Sequence, residues 1–177
     1  MKDLARFESA GSYYGATFVE AQLGYGEEVI VVGGGGNAAC QAAVFLAETT
    51  KRMHMLVRST GLAENMSRYL IHRIEETPTI VFRPHMEIVD LEGGYHLESV
   101  LRRNGQTGQT EKHEIGHIFV MTGADPNTHW LNDCIALDAR GFIKTGADLS
   151  SENLSAAGCL LTHRLTCSKA VCRLFME

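Results

Sequence analysis

The chain has 177 residues, about one domain's worth, with 45% hydrophobic and 21% charged residues, ordinary proportions for a globular protein. Its 16 Lys and Arg against 21 Asp and Glu leave a net charge of -5, which argues against a dedicated nucleic-acid or anionic-membrane binder. No apolar run approaches the ~20 residues of a membrane helix, Met1-Lys2-Asp3-Leu4 opens no signal peptide, and 5 cysteines without framework spacing disfavour a disulfide-stapled secreted scaffold; a reduced, cytoplasmic globular domain is expected.

Glu27-Glu28-Val29-Ile30-Val31-Val32 is a β-branched run of the kind that fills a strand buried on both faces. It stops in Gly33-Gly34-Gly35-Gly36-Asn37. From Ala38 the period changes: Ala39, Ala42, Ala43 and Leu46 fall on one face of a helix, and the small alanines let that helix sit close on the preceding strand. Residues 53–57 read as a second strand. Residues 67–76 read as a second helix, with Leu70, Ile71 and Ile74 on one side and Pro78 beyond its end. Residues 79–82 form a third strand, and the β-α-β-α-β order predicts parallel strands joined by right-handed crossovers.

From His85 to Met121 the sequence alternates and turns, at Glu92-Gly93-Gly94 and at Asn104-Gly105. Three antiparallel strands are predicted over 86–91, 96–102 and 110–117. Residues 118–121 make a further buried strand that ends at Thr122-Gly123. The expected fold class is α/β, a three-layer Rossmann-like dinucleotide-binding domain with an antiparallel β-meander.

The strand–glycines–helix passage has a specific physical use. One glycine permits a tight turn, another lets the backbone approach a pyrophosphate, and a small residue keeps helix and strand close; the free N–H groups at the helix start then receive the phosphate charge. Gly33-x-Gly35-x-x-Ala38 and Gly34-x-Gly36-x-x-Ala39 both satisfy the pattern, so the register is open. The alternative is a glycine tract that merely links two elements. Arg58-Ser59-Thr60 follows the second strand, and no acid occurs until Glu64. An acid at this place accepts from the ribose of NAD, whereas arginine pairs with the extra phosphate of NADP, so the chain is expected to take NADPH. A solvated surface arginine is the plainer alternative for Arg58.

Residues 28–32 with the glycines, Gln41-Ala42-Ala43 in the following helix, and Thr122-Gly123-Ala124-Asp125-Pro126-Asn127-Thr128 resemble the NADPH domain of thioredoxin reductase-like flavoproteins. Leu137-Asp138, Gly141-Phe142-Ile143 and the upstream Gly11-Ser12-Tyr13-Tyr14-Gly15-Ala16-Thr17 continue the likeness, which covers about residues 8 to 150. The resemblance implies that Gly33, Gly34, Gly35, Gly36, Asn37 and Ala38 hold the pyrophosphate, that Arg58 and Ser59 meet the 2′-phosphate end, and that Thr122 and Gly123 admit the cofactor backbone. In that family NADPH reduces FAD held by a flanking domain.

The departures are equally specific. Where thioredoxin reductases carry a C-A-T-C redox pair this chain reads Gly15-Ala16-Thr17-Phe18, so dithiol transfer from this site is impossible. Of the family's H-R-R-x-x-x-R cluster after the second strand only Arg58 remains, and one extra residue sits in the glycine loop. The closest likeness is to thioredoxin reductase-like modules that lack the dithiol and occur fused to regulatory domains. No second dinucleotide loop is present in the sequence, and FAD, the parent family's flavin, is not expected to bind this stretch alone. The resemblance thus divides the chain into residues 1–24, a remnant of the flanking FAD domain; 25–145, the NAD(P)H-binding domain; and 146–177, an irregular tail. No catalytic side chain and no metal ligand is assigned. The expected partners are NADPH and a flavin-bearing chain or domain. The competing expectations are a non-catalytic module that senses nicotinamide nucleotide and a truncated product without function.

Residues 153–176 contain no acid and hold 3 of the 5 cysteines. The C-x7-C-x4-C spacing of Cys159, Cys167 and Cys172, with His163 nearby, is not that of common zinc modules; a terminal amphipathic helix is the ordinary alternative. Loss of one base from a tryptophan codon after Gly158 accounts for the tail differently: the restored frame can encode D-P-P-P-Y-L-L-E-S-S-L-P-A-V-Y-G, which resembles the family's lead into its second FAD motif. Residues beyond about 158 are therefore expected to be an out-of-frame translation. His113-Glu114-Ile115-Gly116-His117 matches the metalloprotease pattern H-E-x-x-H, whose mechanism needs a helix. On a strand the two imidazoles stand ~13 Å apart, so a pair of edge-strand histidines is expected. Cys40 and Cys134 have no C-x-x-C partner and are expected to be small buried hydrophobes. Asn65-Met66-Ser67 fits a glycosylation site without a secretory route to use it.

Overall fold

The computed structural model describes residues 1, 3–33, 36–62, 67–131 and 135–149. Contacts divide the chain into two compact units, Met1–Gly123 and Ala124–Glu177. In the first unit the elements run β1 (Ser12–Tyr13), α1 (Phe18–Leu23), β2 (Glu28–Gly33), α2 (Asn37–Leu46), β3 (Arg52–Val57), α3 (Arg68–Glu76), β4 (Ile80–Pro84), β5 (Met86–Glu92), β6 (Ser99–Asn104), β7 (Thr110–Glu114) and β8 (His117–Met121). A parallel sheet in the order β1-β8-β2-β3-β4 faces a three-stranded antiparallel sheet, β5-β6-β7. The α/β class, the parallel β-α-β-α-β unit and the meander all match the sequence-based expectation.

Strand alternation explains how the parallel sheet serves two cores. Val29 and Val31 of β2 and Met53, Met55 and Val57 of β3 point to one face, where they pack with Ala39, Ala43 and Leu46 of α2 and Leu70 and Ile74 of α3. Ile30, Val32 and Leu56 point to the other face and meet Ile88, Leu91 and Val100 of the meander. Most of these side chains are fully buried, and each buried Val, Leu, Ile or Met contributes roughly 1.5–3 kcal/mol of apolar burial. The layers are therefore helices, parallel sheet and antiparallel sheet. Because both faces are covered, β2 and β3 are apolar without a break except at Glu28, Arg52 and His54.

The alanines of α2 act as the sequence suggests. A Cβ placed on Gly33 would overlap the Cβ of Ala39 and come within 3.2 Å of the Met121 carbonyl oxygen. Strand and helix thus approach closer than two ordinary side chains permit.

Several element boundaries differ from expectation, two of them by three residues. The second meander strand begins at Ser99 rather than residue 96, because Leu97 is buried and its amide donates to the Ala10 carbonyl at 3.0 Å, outside the ladder. The third ends at Glu114, and the chain crosses between the sheets at Ile115-Gly116, so that His117 opens β8. Residues upstream of β2 also contain regular structure. Tyr13 and Ser12 pair in parallel with β8, and α1 starts from a capping box in which Thr17 accepts from the Val19 amide while Glu20 accepts from the Thr17 amide at 3.1 Å.

In the second unit, Leu137 and Ile143 form an antiparallel bridge. The turn between them is closed by Asp138, whose carboxylate accepts from the amides of Arg140 and Phe142, both at 2.8 Å. Among the described residues no helix is long and apolar enough to cross a membrane. The tail beyond residue 149, with the out-of-frame expectation and its cysteines, lies outside the described residues, as do Cys134 and Asn65-Met66.

The Gly33–Ala39 approach makes a direct prediction. Gly33→Ala is expected to destabilise the protein by about 1–3 kcal/mol through overpacking, read as a lower urea midpoint at unchanged slope. Ala38→Ser, on the exposed side of the same helix turn, is expected to leave the midpoint within about 0.5 kcal/mol of the parent.

Candidate functional site

Three loops leave the parallel sheet side by side. In the sheet register Gly33, the last residue of β2, is paired with Val57, the last of β3, and with Met121, the last of β8. The described residues that follow these strands, Gly36 at the start of α2, Arg58-Ser59 and Thr122-Gly123, therefore lie toward the carboxyl edge. The β2–α2–β3 crossover lies to one side of β2 and β8 to the other. That is a switch point in strand order, the place where open parallel sheets bind ligands.

Gly34 and Gly35 lie outside the described residues. Gly36 is the N-cap of α2, extended at φ -84° and ψ 169°, and among the described residues the helix start receives no side-chain cap. Its first-turn amides have no intrahelical carbonyl to meet, and their aligned dipoles favour an anion there. Gly36, Asn37 and Ala38 are exposed, whereas Ala39 is the alanine buried against the strand. The Asn37 side-chain oxygen accepts from the Ser67 amide at 3.3 Å, which ties the start of α2 to the start of α3.

Arg58 is the first residue after β3 and is exposed, with no ion-pair partner among the described residues. Ser59 donates its hydroxyl to the Gly61 carbonyl at 2.7 Å, and its own carbonyl accepts from the His85 amide at 3.1 Å. The backbone beside Arg58 is thereby held while the guanidinium is exposed to solvent. Thr122 and Gly123 are exposed, and Gly123 has φ 104°, a conformation that side chains rarely adopt.

The other chemistry-bearing residues lie elsewhere. Gly15, Ala16 and Thr17 form the coil before α1, and Phe18 is its exposed first residue. Cys40 is buried on α2 and burial pushes its thiol up to about 11, so it is protonated at neutral pH. The two histidines of the H-E-x-x-H match stand on different sheets. His113 is on β7, an edge strand, but His117 is on β8, which is interior between β1 and β2; the expected pair of edge histidines is corrected on this point. The crossing at Ile115-Gly116 separates them. His117 stacks on Tyr13 and shares a hydrogen bond with its hydroxyl at 3.2 Å, whereas His113 packs edge-on to His54.

With this geometry established, relationships to known proteins are informative. The family model described as pyridine nucleotide-disulphide oxidoreductase matches residues 10–169. The chain belongs to the pyridine nucleotide-disulphide oxidoreductase family. Within it, the thioredoxin reductase of Mycolicibacterium smegmatis is 28% identical over 140 residues, covering 77% of this chain and 44% of that protein. The thioredoxin reductase of Chlamydia trachomatis is 30% identical over 116 residues, or 66% and 36% of the two chains. The crystal structure of thioredoxin reductase from Streptococcus pyogenes superposes with a TM-score of 0.71 at 25% identity, over 81% of this chain and 46% of that one. The chain spans less than half the length of these relatives. It is thioredoxin reductase-like in sequence and fold, and it matches a family that uses FAD and NADPH.

Burial holds His117 below the usual histidine range, with His96 adding to the effect and Glu27 opposing it. The neutral ring is the folded form, so its stabilisation is complete above pH about 6.5 and is lost as the pH falls through the depressed folded value. The urea midpoint is expected to drop on going from pH 7.5 to 5.5, and His117→Gln is expected to reduce that drop.

Proposed function

We propose that the carboxyl edge of the parallel sheet binds NADPH, and that this stretch is the NADPH-binding part of a thioredoxin reductase-like flavoprotein. The observation that carries the reading is the register that sets the ends of β2, β3 and β8 level, with an uncapped helix start in the centre. Gly34, Gly36 and the α2 amides would hold the pyrophosphate. The close-packing small residue is then Ala39, which favours the Gly34-x-Gly36-x-x-Ala39 register, with Asn37 the first residue of the helix. Arg58 would pair with the 2′-phosphate, Ser59 would brace that loop, and Thr122 and Gly123 would border the nicotinamide side. The residues present fit the cofactor: an exposed Gly36 backbone, a helix start with no side-chain cap, and an exposed arginine where NADP-dependent relatives need a cation.

When bound, NADPH supplies a hydride. In the parent family the hydride passes to FAD, and we propose that this stretch alone does not turn over. Its own residues bind and orient the nucleotide, and the flavin comes from another domain or chain in a reduced, cytoplasmic setting. Exposed Phe18, Val19 and Leu23 on α1 support such a neighbour, because a helix with its large apolar residues in water is unusual for an isolated unit. Gly15 and Phe18, in place of the dithiol, favour a second reading in which the nucleotide is sensed and no disulfide is reduced.

Titration of the protein with NADPH and NADH, followed by nucleotide fluorescence, tests the assignment. NADPH is expected to bind more tightly. Arg58→Ala is expected to weaken NADPH about 10- to 150-fold, the loss of one charge-assisted contact worth roughly 1.5–3 kcal/mol, and to leave NADH unchanged. Equal affinities, or equal losses in the variant, contradict the role given to Arg58.

A further inference from the structure

At the opposite end of β2 lies a cluster that the nucleotide site does not use. Glu28 opens β2, His54 is the third residue of β3, and His113 is on β7 of the meander. Alternation turns His54 to the same face as Leu56, and Glu28 to the same face as Ile30, toward the antiparallel sheet. One potential ligand atom from each of Glu28, His54 and His113 lies within 4.8 Å of the others. His54 Nε2 is 3.3 Å from Glu28 Oε2, and the two imidazoles meet edge-on with centroids 5.0 Å apart.

Two features set this cluster apart from an ordinary buried hydrogen bond. His54 is 4% exposed and sits within an otherwise apolar run, where a polar side chain is costly unless its atoms are satisfied. Yet His54 Nδ1 and His113 Nε2 are buried without a hydrogen-bond partner among the described residues. Two imidazoles and a carboxylate are also a donor set that first-row transition metals favour. Glu28 is partly exposed, with a side-chain exposure of 28%, so an ion can enter from solvent and keep water as a further ligand.

We propose that Glu28, His54 and His113 bind a divalent transition-metal ion of the zinc type, which ties the parallel sheet to the meander. Ligands on a tetrahedral ion stand about 3.4 Å apart, given bonds near 2.1 Å, so the separations here close by small side-chain rotations. Burial keeps both imidazoles below the usual histidine range, and neutral rings are the form that ligates. The charges around the cluster are defined. Lys51 and Arg52 lie 4.0 and 3.9 Å from Glu28 Oε1 and are exposed enough to swing away. Arg102, whose charge acts on both histidines and opposes a cation, is paired through Nε with the Glu111 carboxylate while its Nη1 is buried without a partner among the described residues. Arg83 acts on His113 in the same sense. The site is at the far end of a six-residue strand from Gly33, roughly 16 Å away at ~3.3 Å per residue, so the ion is a structural tie and takes no part in nucleotide chemistry.

The test is a titration of the purified full chain with Co2+, followed by visible absorption, with Zn2+ as competitor. One equivalent of Co2+ is expected to give d–d absorption without sulfur charge-transfer bands, and Zn2+ is expected to displace it. Glu28→Gln and His113→Gln are each expected to weaken binding by more than about 10-fold. Ring-proton NMR of the unaltered chain gives an answer independent of any variant: Zn2+ should shift the His54 and His113 signals first. Failure to bind overturns the proposal. So does thiolate-type absorption that survives in both variants, or Zn2+ shifts confined to other histidines.

Discussion

The contact between a strand residue without a side chain and a helix residue with the smallest one governs the placement of everything else. Gly33 and Ala39 let α2 lie on β2 at a distance that a Cβ on Gly33 would forbid. The approach fixes where α2 begins, and hence where its uncapped amides stand relative to the sheet edge. Parallel pairing then carries that position to β3 and β8, whose last residues are level with Gly33. A helix set further out would separate the helix start from the loop at Arg58. The geometry of the carboxyl edge is thus a packing result before it is an electrostatic one.

Putting an antiparallel sheet, rather than helices, on the second face has its own consequence. The meander-facing positions of β2 and β3 must be apolar through most of their length, and they are, up to the amino ends where Glu28 and His54 face His113. Under the proposed function the two ends of β2 would do different work: one end would offer backbone donors and a cation to an anionic ligand, and the other gathers a carboxylate and two imidazoles. Their separation along the strand lets each be altered without reshaping the other.

Much of this was readable from residue order. The β-branched run before four glycines, the alanine spacing after them and the apolar stretch at 118–121 define the parallel sheet, because buried strands and close-packed helices leave few residue choices. The three candidate loops follow from the same elements. What escaped was short or depended on tertiary context. β1 has two residues and no periodicity, and α1 shows its apolar residues to solvent, although Thr17-Phe18-Val19-Glu20 carries a capping signature that points to a helix start. The transfer of His117 to the interior of the parallel sheet required knowing that the chain changes sheets at Gly116. The register of the glycine loop is ambiguous in one dimension, whereas burial distinguishes Ala39 from Ala38 at once. The meeting of Glu28, His54 and His113 joins residues 26 and 59 positions apart, and no local spacing announces it.

The central claim is that the loops after β2, β3 and β8 form one nucleotide site. Backbone amide NMR of the isotopically labelled protein during NADPH addition tests it most directly, because it locates the ligand residue by residue. The account predicts saturable shifts in the amides of residues 33–39, 58–59 and 122–123, with the amino end of β2 and the meander unmoved. Shifts concentrated elsewhere, or none at nucleotide concentrations in the millimolar range, would contradict it.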